Sequence, residues 1–338
     1  MYKHGGDIYT NKNVIDFSAN LNPLGMPSFV AEAAKKAVDF SDVYPDVFQR
    51  ELVEEIAKRE NVNKESIICT NGAAELIFGI CFALRPQKAV LVCPSFEEYR
   101  QGLEASGVEQ IQNYFLKEEK GFALEADFLD ELKYDMDIVF LCNPNNPTGR
   151  LIDELLLNKI IEKCNENGIL LVVDECFLDF LEEDLSKKHK VFVIKAFTKM
   201  YAMAGIRLGY GIYRDEKFLN KIRKVIQPWN VSVIAQKSGI EAAKDTKFLE
   251  ETRKFVKKEK EFLLKEIAPY VEKIYGHEAN YIFFKSEENL GCKLLNKGIM
   301  IRDCSNFKGL EKGYFRIAVK ERADNLSLIK ALQEVKNG

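Results

Sequence analysis

A chain of 338 residues, 46% of them hydrophobic and 30% charged, holds enough apolar material for a sizeable core and is too long for one small domain. Its net charge of -3, with acidic and basic residues interspersed, gives neither a basic stripe for nucleic acid nor a polybasic cluster for a membrane surface, while small anionic ligands stay open. No apolar run approaches the roughly 18 residues of a membrane span, and the opening MYKHGGDIYT lacks the apolar core of a secretion signal.

The first 40 residues read as irregular, with HGGDIY and then DFSANLNPLG. Strands are expected at SIICT (66–70), AVLVC (89–93), DIVFLC (137–142), ILLVVDE (169–175), VFVIK (191–195) and RLGYGIY (207–213). Several are apolar throughout, as strands are when helices cover both faces of a parallel or mixed sheet. Helical patterns lie between them. Asp153 to Asn167 has an acidic start, apolar residues at helical spacing and Gly168 as a stop. Strand–helix alternation of this kind predicts an α/β domain.

After Pro228 the pattern changes. Residues 232–268 read as helical and strongly charged, followed by short strands at NYIFF (280–284), GIMIRD (298–303) and YFRIAV (314–319) and a last helix near 323–336. The expected division is a large domain over 45–228 and a smaller α+β domain made of 1–44 and 229–338, with the N-terminal arm joining the small domain or crossing to a partner subunit. The eight cysteines form no C-x-x-C pair, and several sit in apolar runs, which predicts reduced, mostly buried thiols in a cytoplasmic protein. His4, His189 and His277 are not spaced with cysteines as zinc ligands are, so no metal is expected.

Four strings carry chemistry. In KAFTKMYAMAGIRLGY (195–210), Lys199 follows a strand and Arg207 comes eight positions later, which suits a lysine that carries a cofactor covalently beside a cation for its phosphate; alone, a solvated lysine and a surface arginine would read the same way. In CNPNNPTG (142–149), Asn and Pro at a strand end make a fixed turn that presents side-chain amides. In VVDECFLDF (172–180), Asp174 ends a buried strand and needs a partner, either a salt bridge or a protonated pyridine nitrogen. In NGAAELIF (71–78), the amides of Ala73 and Ala74 open a helix and can bind phosphate, a weak signal alone.

In that order the four strings resemble the fold-type-I pyridoxal 5′-phosphate (PLP) enzymes of the class I and II aminotransferase family, over essentially the whole chain. Within it, HGGDIY (4–9), DFSANLNPLGMP (16–27), DECFLDF (174–180), QPWNVSVIAQ (227–236), ANYIFF (279–284) and IRDCSNFKGL (301–310) look like the threonine-phosphate decarboxylases more than their sisters, the histidinol-phosphate aminotransferases. The resemblance implies a three-layer PLP-dependent transferase fold with a mostly parallel central sheet and a smaller α+β domain. It implies PLP as cofactor, a phosphorylated amino acid as substrate and a homodimer. The implied reaction is removal of CO2 from L-threonine O-3-phosphate in cobalamin biosynthesis; amino transfer from histidinol phosphate is the alternative, and a non-catalytic PLP-fold binding module a third reading.

Carried over residue by residue, the resemblance makes Lys199 the catalytic, cofactor-holding lysine. Asp174 would pair with the pyridine nitrogen, Asn146 with the ring hydroxyl, and Phe96 would stack on the ring. Arg207, Thr198 and the Ala73 and Ala74 amides would hold the cofactor phosphate, with Tyr44 reaching the partner subunit's. Arg316 would grip the substrate carboxylate, and Arg302, His4 and Asn22 its phosphate. Phe177 stands at the cofactor where aminotransferases of this fold usually carry a tyrosine that donates to the ring hydroxyl; this favours the decarboxylases, although a packing substitution would read alike. The chain departs from the common pattern at Lys195 and Ala196, where relatives carry arginine and serine. The missing hydroxyl removes a hydrogen bond to the phosphate, worth roughly 1.5–3 kcal/mol when made to a charged group.

Overall fold

The computed structural model describes residues 4–181, 186 and 188–337. The N-terminal arm enters as a two-residue strand, β1 (Ile15–Asp16), and continues through α1 (Ser28–Ala37) and α2 (Arg50–Glu60). α2 stops at Asn61, whose φ of 52° makes the left-handed cap that asparagine tolerates.

Seven strands form the central sheet: β2 (Ile67–Thr70), β3 (Lys88–Cys93), β4 (Gln110–Phe115), β5 (Ile138–Cys142), β6 (Leu170–Asp174), β7 (Phe192–Ala196) and β8 (Gly209–Ile212). Their order is β2-β8-β7-β6-β5-β3-β4, and all run parallel except β8, which is antiparallel to both neighbours. The continuous apolar runs arise because both faces are buried. Ile138 and Phe140 of β5 pack with Leu76 and Ile77 of α3 (Gly72–Leu84), with α4 (Glu98–Ala105), and with α7 (Glu216–Val225). Val139 and Leu141 face the other way, toward Leu157 and Ile160 of α5 (Glu154–Asn167). That is the expected three-layer, mostly parallel α/β architecture. α5 keeps its expected ends: the Asp153 carboxylate accepts from Leu156 N at 3.0 Å, and Gly168 caps it at φ 70°. β4, QIQNYF, was not expected: it is an edge strand, half-buried and polar, so it lacks the apolar run that marks the others.

The carboxyl ends of β2, β3, β5, β6 and β7 share one edge of the sheet, the edge where open α/β sheets bind ligands. α6 (Phe197–Met200) starts at the end of β7. The expected helical stretch 232–268 divides into α8 (Val233–Lys244), which packs across α1 and α2, and α9 (Lys247–Ile267).

The C-terminal part contains β9 (Lys273–Gly276), β10 (Tyr281–Lys285), α10 (Leu290–Leu295), β11 (Ile299–Met300), β12 (Arg302–Asp303), β13 (Tyr314–Ala318) and α11 (Arg322–Asn337). The string GIMIRD is two strands, because β11 pairs with β1 while β12 joins the antiparallel sheet β12-β13-β10-β9. This sheet and α9, α11 and Phe17 share a core of their own, built on Ile282, Phe284, Phe315 and Ile317. Six of the eight cysteines are buried, Cys176 is half-buried and Cys292 exposed, all as free thiols. Among the described residues no helix is long and apolar enough to cross a membrane.

Candidate active site

The ligand edge of the sheet opens into a cleft with about 1030 Å3 of space including its mouth. One corner is built by close backbone approach. Gly72, at φ 77°, begins α3, and a Cβ there would run into the Arg207 guanidinium. A Cβ on Gly209 would stand 2.5 Å from Ala73 N. The two glycines thus let β8 press against the first turn of α3, where the Ala73 and Ala74 amides precede the helix's own hydrogen bonds. Arg207, itself held at φ 68°, and buried Thr198 complete the corner, which suits an anion.

Asp174 ends β6 and is 4% exposed. Tyr99 Oη donates to one carboxylate oxygen at 2.7 Å and Cys176 N to the other at 2.9 Å. Tyr99 stacks on Phe140 with centroids 5.0 Å apart and meets Phe96 edge-on at 5.6 Å, so it ties the carboxylate to the aromatic wall. Phe177 packs edge-on to Tyr281 at 5.1 Å. The nearby Tyr281 hydroxyl does not replace the missing donor, because it is committed to Asn145 O at 2.8 Å.

Lys199 sits on α6 with its Nζ 5.7 Å from the centroid of the Phe177 ring. Burial lowers its pKa most, then the Arg316 guanidinium; Cys176 opposes them, and Arg207 lowers and Asp174 raises it more weakly. The amine is thereby favoured in its neutral, nucleophilic form.

The opposite anion-binding elements come from β12 and β13. Arg302 and Arg316 stand directly across from one another in the ladder, so both guanidiniums leave the same face and enter the cleft. Arg316 is buried, donates to Ser18 O at 3.0 Å and to the Asn146 side-chain oxygen, and its buried Nε has no partner among the described residues. Those partners are neutral oxygens, so an anionic ligand would supply the compensating charge. Arg302 donates to Asn306 Oδ1 at 2.7 Å. His4 also lines the cleft, its Nε2 3.2 Å from Glu98 Oε1.

One residue expected at the ligand lies elsewhere. Asn22 is buried outside the cleft: its amide nitrogen donates to Met200 O at 2.6 Å and Thr252 Oγ1 at 2.8 Å, and its oxygen accepts from Leu24 N. With both amide hydrogens committed and its backbone N–H on Lys199 O at 3.1 Å, Asn22 supports the lysine from below instead of meeting a ligand. Asn20 lines the cleft instead, buried, with neither amide atom hydrogen-bonded among the described residues. A tight turn closed by Leu21 N on Ala19 O at 2.9 Å separates the two side chains, and nothing in the string SANLN announced it. Tyr44 is 78% exposed, stacked on Trp229 at 4.7 Å, and lines no part of this cleft. The sequence reading also passed over Glu98, Tyr99 and Asn306.

Lys195 belongs to a buried charge network outside the cleft. Its Nζ lies 2.9 Å from Asp179 Oδ1 and 3.1 Å from Glu60 Oε1, and Glu60 Oε1 also accepts from Tyr210 Oη at 2.7 Å. Lys195→Met is expected to lower unfolding stability by about 1–3 kcal/mol, because Glu60 and Asp179 lose one of their cations while Lys188 still faces Glu60 at 3.3 Å and Arg59 still faces Asp179 at 3.6 Å. Denaturant titration of the holoenzyme checks this, and an unchanged midpoint would contradict it.

Residues 12–332 match the family model for aminotransferase class I and II. The chain is 34% identical to the threonine-phosphate decarboxylase of Salmonella typhimurium, over 99% of this chain and 97% of that protein. It is 39% identical to a provisionally named threonine-phosphate decarboxylase of Caldanaerobacter subterraneus, over 98% of this chain and 93% of that one. The solved structure of the histidinol-phosphate aminotransferase from Clostridium acetobutylicum superimposes with a TM-score of 0.88 at 30% identity, over 95% of this chain and 98% of that one.

Proposed function

The chain belongs to the aminotransferase class I and II family, and on that premise we propose that it is a PLP-dependent lyase that decarboxylates L-threonine O-3-phosphate to (R)-1-aminopropan-2-yl phosphate, in cobalamin biosynthesis. The observation that carries this reading is the pair of guanidiniums, Arg302 and Arg316, entering one cleft from adjacent strands: a substrate with two anionic groups asks for two such grips.

The site fits the cofactor on two counts. The corner of Gly72, Gly209, Arg207 and the α3 amides suits its phosphate, and Asp174 suits a cationic ring nitrogen. Asn146, Phe96, Phe177 and Thr198 would complete its contacts, with Lys199 as the covalent anchor. When bound, PLP supplies an electron sink for the bond broken at Cα. The protein decides which bond that is. In this reading Arg316 and Asn20 hold the carboxylate, while Arg302 and His4 hold the phosphate and so fix rotation about Cα. The Cα–carboxylate bond breaks, CO2 leaves, and Lys199 Nζ returns a proton to Cα.

Asn20 and Asn22 separate binding from support. Asn20→Ala is expected to raise KM about tenfold or more with little change in stability, the loss of a hydrogen bond to a charged group. Asn22→Ala is expected to lower stability by about 1–3 kcal/mol, since Met200 O, Thr252 and Leu24 N lose buried partners. Steady-state kinetics with thermal unfolding test both, and the reverse pattern would return the ligand role to Asn22.

We also read the protein as a cytoplasmic homodimer in which residues 45–228 form the cofactor-binding domain and 1–44 with 229–338 the smaller one. Exposed Val38, Phe40, Val43, Tyr44, Phe48 and Trp229 would face the second copy, with Tyr44 reaching the partner's site. Gel filtration coupled to light scattering tests it.

The alternative, histidinol-phosphate aminotransferase, has the Clostridium acetobutylicum structure in its favour. Release of CO2 from L-threonine O-3-phosphate, run beside glutamate formation from histidinol phosphate and 2-oxoglutarate, decides between them. CO2 without glutamate supports the decarboxylase; glutamate without CO2 overturns it.

A further inference from the structure

Glu98, the first residue of α4, lines the same cleft as Arg302, His4 and Asn20 and is not required by the chemistry above. Its Oε1 lies 3.2 Å from His4 Nε2, and its Oε2 is buried with no hydrogen-bond partner among the described residues. The charged and titratable groups that face it are His4 from the N-terminal arm, Glu97 beside it, Asp174 at the end of β6, Lys199 on α6 and Arg302 on β12. Burial, with help from Glu97 and Asp174 and against Lys199, pushes its carboxyl up to about 7. Burial, then Arg302 and Lys199, lowers the His4 pKa. Both shifts favour a neutral acid beside a neutral imidazole.

A pocket that grips a doubly charged phosphate is a poor place for an ionised carboxylate. Two like charges 4 Å apart repel by about 4 kcal/mol at an effective dielectric of 20. The same group as a neutral acid becomes a hydrogen-bond donor to phosphate. We propose that Glu98 is a specificity-determining residue that enters the ligand complex as the neutral acid, its buried Oε2 donating to a phosphate oxygen, so that binding of a phosphorylated ligand takes up one proton from solvent. The proposal rests on the reading that the corner of Arg302 and His4 receives the substrate's phosphate. It adds a pH-dependent selection: above neutrality the site binds its phosphorylated ligand progressively less well.

The test uses the PLP-loaded holoenzyme and a ligand with no carboxylate to lose, (R)-1-aminopropan-2-yl phosphate, with 1-aminopropan-2-ol as the phosphate-free control. Calorimetric titration at pH 8 in two buffers of different ionisation heat counts the protons taken up. Glu98→Gln keeps the size and a donor but cannot titrate. The wild type is expected to take up close to one proton more than E98Q. Between pH 7.5 and 9 its affinity should fall, relative to E98Q, by about tenfold per pH unit. Equal uptake and parallel pH profiles in the two proteins would overturn the proposal. So would uptake kept in E98Q but lost in His4→Asn, which would assign the proton to the imidazole. If the phosphate-free amine binds both proteins as tightly as the phosphorylated one, the phosphate reading itself has failed and this proposal with it; phosphate-dependent binding with no difference at position 98 removes the Glu98 role alone.

Discussion

Lys199→Ala is expected to lose the covalently held cofactor and turnover together. The loss of proton transfer to Cα alone accounts for about 10²–10⁴ in kcat. Loss of the amine that, in this reading, would anchor the cofactor would add to it. Noncovalent PLP binding should persist, because Arg207, Thr198, the first-turn amides of α3 and Asp174 are untouched. Borohydride reduction followed by peptide mass analysis reads the difference: the wild-type peptide that contains Lys199 carries the cofactor's mass and the variant's does not. An active variant, or cofactor mass on another lysine, would refute the assignment. The lowered pKa of Lys199 makes it suited to the role, since burial and two neighbouring guanidiniums all disfavour the ammonium form.

Asp174→Asn is expected to cost nearly as much by a different route. The side chain keeps its size, and an amide oxygen can still accept from Tyr99 or from Cys176 N. What disappears is the buried negative charge that, in this reading, would face a cationic ring nitrogen. Removing one partner of a buried charge pair costs about 3–5 kcal/mol. At about 1.4 kcal/mol per factor of ten, kcat/KM falls by about 10²–10⁴ if the charge acts in the transition state. PLP affinity should weaken by a smaller factor, because the phosphate corner is intact. Kinetics beside equilibrium dialysis of PLP separate the two losses. Unchanged kcat/KM would mean that Asp174 serves only the packing of Tyr99 against Phe140 and Phe96.

Lys195 illustrates how a departure read in one dimension changes meaning in three. In the sequence it stands beside Ala196, whose missing hydroxyl bears on the cofactor phosphate. In the fold, β7 directs the Lys195 side chain to Glu60 and Asp179, away from the cleft, so its consequence falls on stability. Alternation of side chains along a strand produces that separation, and it cannot be applied until the strand's two faces are known.

The residues legible from sequence share one property. Ala73, Ala74, Asn146, Asp174 and Lys199 sit at or just beyond the end of a central strand, and Arg207 just before the start of β8, inside short strings rich in turn residues or glycine. Apolar runs, turn residues and glycines are local signals, so the α/β class and the order of the strings could be read from the amino acids in order, while the role expected of the lysine came from the resemblance of those strings to a family. The remaining site depends on contacts between segments far apart in the chain. Arg302 and Arg316 converge because β12 and β13 pair antiparallel in one register. Asn20 replaces Asn22 because a turn at residues 19–21 rotates one amide into the cleft and buries the other against Met200 and Thr252. Glu98 meets His4 across the cleft, and Tyr99 reaches Asp174 from the next position on α4. Sequence alone determined the fold class and placed the candidate polar residues at the strand ends, since hydrophobic period and turn preference act over a few residues. Only the tertiary structure decided which polar side chains remain unpaired inside the cleft, because whether a buried amide or carboxyl is satisfied depends on every segment packed around it.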